Sequence, residues 1–169
     1  MTAYSAAQWL EHTKWSIALH QSLWAYPIIE SVHVLFLCLF LGMAIALDLR
    51  LIGAAFRSVP VAELVDRLKP YTVAGFIVMV TTGSLLFYGI PLRTYTNVFF
   101  RFKVLFLILA GINVWYFHSG IYLKVAEWGR DPHPPSKARM AGAVSLILWA
   151  FVVVAGRMIA YNWFDKPAH

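Results

Sequence analysis

Six residues of types that do chemistry stand in or beside long apolar runs: His20, Glu30, His33, His118, Arg157 and Met158. Neutral imidazole and thioether sulfur are axial ligands of haem iron, and haem is commonly held between the helices of a bundle. Arginine grips propionates and other anions through paired N–H bonds. A charge facing lipid is costly, so ionisable residues inside a membrane are functional candidates by default. His33 belongs to the stretch Pro27–Arg50, which carries no charge between Val34 and Leu47. With the turn before it, that stretch reaches the roughly 20 residues a spanning helix needs. Glu30, His33, Leu37, Ala44 and Asp48 return to one side of the helix through spacings of three, four, seven and four residues. This stripe is expected to face protein or a cofactor.

Depth along the helices limits how the candidates combine. His33 falls on the outer side of the middle of its span and His118 on the cytoplasmic side of its own, at depths roughly 12 Å apart. One haem between those two is strained. An outer-side haem pairs His33 with His20 or with Met158, Arg157 holding the propionates, and a second haem would use His118 with a ligand the sequence does not name. Glu30 and Arg157, at the outer ends of their spans, are expected to form a buried ion pair or to line an anion or quinone-headgroup site. Asp48 and Arg50 are expected to pair locally. Asn113 lies about 140° around the helix from His118, so it suits an interhelical hydrogen bond. His12, His133 and His169 are expected to be solvated.

The composition sets the elements that must carry these residues. The chain has 169 residues, of which 60% are hydrophobic and 13% charged, with mean hydropathy +0.67. A soluble domain runs at about 25% charged, so one all-α integral membrane domain over residues 1–169 is expected. Residues 4–24 read as an amphipathic interfacial helix, with Leu10, Ile17 and Trp24 at seven-residue intervals and His20 within about 60° of that stripe. Trp9, Trp15, Trp24 and Tyr26 form an aromatic belt. Four spans follow at about 27–50, 71–90, 98–125 and 141–163, giving a four-helix bundle. The second presents Gly75, Met79, Thr82 and Gly89 on one side, and the fourth Gly142, Ser145, Trp149, Gly156 and Ala160, small-residue faces that let helices approach in lipid.

Several classes are excluded. The single cysteine, Cys38, rules out an internal disulfide and a thiolate cluster, and reads as inert packing. The net charge of +6 is spread over the loops without a dense basic cluster, which favours anionic headgroups of the bilayer and no nucleic acid. No phosphate loop, Cys-x-x-Cys or nucleophile elbow is present, and no cleavable signal precedes the first span. The loops after spans one and three hold Arg50, Arg57, Arg67, Lys69, Lys124, Arg130, Lys137 and Arg139, against Lys14, Arg93, Arg101, Lys103 and Lys166 on the other side. Eight against five makes the loop side cytoplasmic and puts both termini outside.

The motifs Trp24-x-Tyr26-Pro27-x-x-Glu30-x-x-His33, Asp48-Leu-Arg50-Leu-x-Gly53, Asn97-x-x-x-Arg101-x-Lys103, Asn113-x-x-x-Phe117-His118 and Gly156-Arg157-x-Ile159-Ala160-Tyr161 together resemble an uncharacterised family of small four-span bacterial inner-membrane proteins. The resemblance implies that Glu30, His33, Arg50, His118 and Arg157 are the positions to watch, and supplies no activity. A more distant similarity is to four-helix b-type cytochromes and copper-resistance membrane proteins, although spans two and four here carry no histidine. The expected function is that of a b-type cytochrome-like electron carrier between the quinone pool and a membrane or periplasmic partner. His33 and His20 would be iron ligands, with Arg157 and Glu30 behind them. The alternatives are a cofactor-free accessory subunit and a small-ion carrier, which with only four spans would need to form a homo-oligomer.

Overall fold

Helices in this chain start where a proline or a capping side chain permits. Pro60 and Pro135 stand immediately before two of them, Pro91 opens a third, and the Asn97 side chain accepts from the N–H groups of Phe99 and Phe100 at 2.9 and 3.3 Å to open a fourth. A computed structural model describes residues 3–161. Its elements are α1 (Ala3–Glu11), α2 (Lys14–Gln21), α3 (Ala25–Ile52), α4 (Val61–Gly89), α5 (Pro91–Thr96) and α6 (Val98–Tyr116). A π turn (Phe117–Ile121) and a 3₁₀ turn (Tyr122–Lys124) then lead to α7 (Val125–Trp128) and α8 (Ser136–Met158). Every element is helical, and four segments are long and apolar enough to cross a membrane: α3, α4, Val98–Trp128 and α8. The molecule is a multi-pass membrane four-helix bundle. Residues 162 and 163 of the expected fourth span, with Lys166 and His169, lie outside the described residues.

Two helix boundaries differ from expectation for identifiable reasons. α4 begins at Val61, about three turns before the expected start at Tyr71, and runs through Pro70. Proline there removes one backbone bond, to an acceptor on exposed Asp66 that water can satisfy, while Val61 and Val65, one turn apart, are buried. The N-terminal segment is two short helices, not one. Thr13 breaks it: its hydroxyl caps α2 through Ser16 N–H at 3.3 Å, donates to Leu10 O at 2.7 Å and meets the Tyr88 hydroxyl at 2.8 Å. The break shifts the helical phase, so Ala7 and Ser16 are the buried positions. Ile17 and Trp24 of the expected stripe stay exposed, as do Trp9 and Trp15 of the aromatic belt.

The long helices pack as a row, with α4 on α3, α3 on α8 and α8 on α6. Among the described residues α4 and α6, the pair that would close the ring, share no comparable backbone interface. Phe87 stacked on Phe100, with ring centres 5.4 Å apart, bridges them near the end that carries α1 and α2. At mid-length the core is Phe40, Met79, Ala110, Trp149 and Val152, with Phe40 edge-on to Trp149 at 4.8 Å. At the opposite end Leu51, Val61, Val65, Phe117, Ala138 and Ala141 form a second cluster under the 53–60 and 129–135 loops. Cys38 is exposed on the bundle surface and does not pack into the core.

Gly142 sets the approach of α8 to α3. A Cβ there would stand 3.0 Å from the Asp48 carbonyl oxygen and 3.1 Å from Leu51 Cβ. Gly142→Leu is therefore expected to prise the two helices apart and to cost about 1–3 kcal/mol, the usual penalty for overpacking. Thermal unfolding in detergent would show it, and an unchanged melting point would mean that the interface is looser than this contact implies.

Candidate functional site

Toward the α1/α2 end, His33 of α3 points at α4. Its Nδ1 lies 2.8 Å from the Thr82 hydroxyl oxygen. That hydroxyl already donates its proton to the Val78 carbonyl at 2.7 Å, with Met79 O also in reach at 3.3 Å. Thr82 Oγ1 must therefore accept, and His33 Nδ1 must carry the hydrogen. In the neutral ring Nε2 then presents a lone pair, the state a hydrogen-bond donor or a metal ion requires. Gly83 gives the ring its space, since a Cβ there would come within 3.2 Å of His33 Cε1.

The second member of the site is Lys103, which the sequence alone groups with the cations flanking the third span. Asn97 caps α6, so Lys103 sits a turn and a half inside the spanning helix. Its chain lies along Gly156 of α8, with Cδ, Cε and Nζ all within 3.8 Å of where a Gly156 Cβ would be. Lys103 is half-buried, and its positive charge is near enough to be felt at His33. Among the described residues it makes no hydrogen bond or ion pair. Small residues on two helices thus make room for two nitrogens: an acceptor on His33 and a donor on Lys103.

The other expected site residues do not join them. His20 is exposed and edge-on to Tyr26, with ring centres 6.3 Å apart. Tyr26 is two helical turns, about 10 Å, along α3 from His33. His118 stands exposed on the π turn with its Nδ1 on the Val114 carbonyl of its own helix at 3.0 Å. His20 therefore stands apart from the His33 it was expected to pair with, and His118 lies at the other end of the bundle, at the separate depth expected of it. Met158 does share the depth of His33: Phe40 lies against Trp149 and Gly142 against the Asp48 backbone, and the same antiparallel register carried along α3 and α8 brings 33 level with 158.

The two expected ion pairs are also absent. Arg157, one residue past Gly156, is turned about 100° away from Lys103 and is exposed, with its guanidinium 5.4 Å from the Tyr161 ring centre and Nη2 donating to the Tyr161 hydroxyl at 3.3 Å. Glu30 is exposed on α3 and makes no ion pair with it. Asp48 and Arg50 are two residues apart on one helix and so point to different sides. Among the described residues the ion pair formed is Arg67 with Glu63, 2.6 Å apart and on the surface. It lines an open groove of about 730 Å³ beside Pro60, Asp66, Val125 and Arg130. That groove is at the loop-bearing end, away from His33. Asn113 behaves as expected, donating to the Ala141 carbonyl at 3.0 Å.

Fold and site together define a small multi-pass helical membrane protein in which each of the four long helices contributes a residue beside His33 or Lys103. No curated protein matches the chain, and no solved structure does. The chain belongs to a family of unknown function, DUF6644, whose model matches residues 22–162.

Proposed function

We propose that the His33–Lys103 site binds the headgroup of a membrane quinol, and that the protein passes electrons from it to a partner. The observation that carries this reading is the hydrogen bond between His33 Nδ1 and Thr82. With Nδ1 committed to Thr82, Nε2 accepts a hydrogen bond, and a quinol hydroxyl supplies one where a fully ionised anion would not. Lys103 donates to a headgroup oxygen. Phe87 and Phe100 lie beside the site, and the loosely joined α4–α6 side offers an approach from the bilayer. As the quinol is oxidised to the quinone, its two electrons leave to a redox centre of a membrane or periplasmic partner, one hydroxyl proton goes to His33 Nε2 and the other to water at the α1/α2 end.

A second reading keeps haem b. Met158 is level with His33, so those two residues would hold the iron, and Lys103 would face a propionate; haem would supply one-electron transfer. The nearby ammonium weighs against it, because a positive charge disfavours iron at Nε2 and favours a neutral acceptor oxygen. For orientation, Arg50 and Lys103 both lie inside the fold, which leaves seven basic residues on the loop side against four across the membrane, by removal of one from each earlier count. The loop side is then cytoplasmic in a bacterial inner membrane.

Solvent extraction and an absorption spectrum of the purified protein separate these readings. Quinone recovered in stoichiometric amount from colourless wild-type protein, and not from His33→Gln, is the expected result. A Soret band lost in His33→Gln would transfer the site to haem. Neither quinone nor colour would leave a cofactor-free accessory subunit.

A further inference from the structure

The loop-bearing half of the bundle holds a different buried ionisable group. Asp48 is 5% exposed, one turn before the end of α3, and among the described acidic residues it is the buried one. Ser145 of α8 is the hydroxyl facing the carboxyl, and Oδ2 is buried with no hydrogen-bond partner. Gly142 brings α8 against this turn of α3, where a Cβ would stand 3.0 Å from the Asp48 main-chain oxygen.

No cation compensates it. From its own helix, Arg50 points away and spends Nε and Nη2 on loop carbonyls. From α8 the facing polar group is Ser145, and the basic residues of that helix's first turns, Lys137 and Arg139, are exposed. From α6 the group at this level is Asn113, whose amide is committed to Ala141. From α4 it is Arg67, exposed and paired with Glu63. No Lys, Arg or His nitrogen among the described residues comes within 4.0 Å of the carboxyl. A carboxylate in apolar surroundings with a single hydroxyl partner neutralises itself by taking a proton.

We infer that Asp48, with Ser145, is a proton-binding site inside the membrane, holding a neutral carboxylic acid at rest. The proton comes from water at the loop-bearing end, forms the O–H bond on the carboxyl, and returns there when Asp48 ionises. The mid-length core of Phe40, Met79 and Trp149 separates this carboxyl from His33, so the site is independent of what His33 binds.

Infrared spectroscopy of the full chain in lipid nanodiscs tests this. At neutral pH the wild type is expected to show the carbonyl stretch of a protonated carboxyl, downshifted in heavy water and lost in Asp48→Asn. Ser145→Ala should move that band to higher frequency by removing one hydrogen bond, which keeps the test decisive should Asp48→Asn not fold. A spectrum without the band, or one unchanged by both substitutions, overturns the inference. A band that emerges only when sodium is removed also overturns it, since the carboxylate would then be holding a metal cation.

Discussion

Arg50→Ala is expected to destabilise the folded bundle by about 3–5 kcal/mol, the cost of breaking a buried charged network. Arg50 is 0% exposed. Its Nε donates to Val59 O at 2.7 Å, and its Nη2 to Gly129 O at 3.1 Å and Asp131 O at 3.0 Å. One side chain thus fastens both connecting loops to the end of α3. The loops meet there: Val61 N–H donates to Gly129 O at 2.9 Å, and Gly53, at φ 81, comes so close to the second loop that a Cβ would stand 3.2 Å from Pro132 O. Alanine would leave the Val59 and Asp131 carbonyls without a donor, Gly129 O keeping that of Val61, and each costs about 1–3 kcal/mol where water cannot reach. The melting temperature in detergent should fall by roughly 10 °C. Arg50→Lys should recover little of it, because an ammonium has no planar fork to reach carbonyls on two loops. An alanine variant that melts with the wild type would refute the role.

The four spans were legible because their signal is bulk composition: long uncharged runs bounded by Pro27, Pro91 and loop prolines admit little else in a chain this apolar. What the sequence conceals is phase and depth. Glu30, His33 and Asp48 do share a helix side, yet Glu30 stays exposed while Asp48 is buried where Gly142 draws α8 against its turn. Arg157 looked like a propionate anchor by depth alone, and a single residue of rotation past Gly156 turns it outward. Lys103 was discounted because basic residues near span ends are usually flanking charges. The signal that identifies it was present: Asn97 as a cap sets the helix start, and counting from there places Lys103 within the span. His118 shows the opposite error, since the π turn that follows α6 cannot be read from residue types. The Thr82–His33 bond was half-visible, with Thr82 recognised on the small-residue face of α4 but read as packing.

Lys103→Met is expected to weaken binding of a short-chain quinone analogue by about 10–100-fold while raising the melting temperature. The two effects have one origin. An ammonium held between helices without a hydrogen-bond partner is a cost to the folded state, and a methionine of similar length fills the same space along Gly156 without it. Removing the charge also removes the donor to a headgroup oxygen, and a hydrogen bond to a charged group contributes about 1.5–3 kcal/mol. Titration of the analogue against protein in nanodiscs, beside thermal unfolding of the same samples, reads both. Thr82→Val complements it by removing the acceptor that fixes the His33 tautomer; the ring can then place its hydrogen on Nε2, and binding should weaken severalfold even though Thr82 does not touch the ligand. A lysine that merely braced the bundle would lose stability on substitution and leave the analogue's affinity unchanged. Opposite signs in the two measurements are therefore what distinguish a binding residue from a packing one at this position.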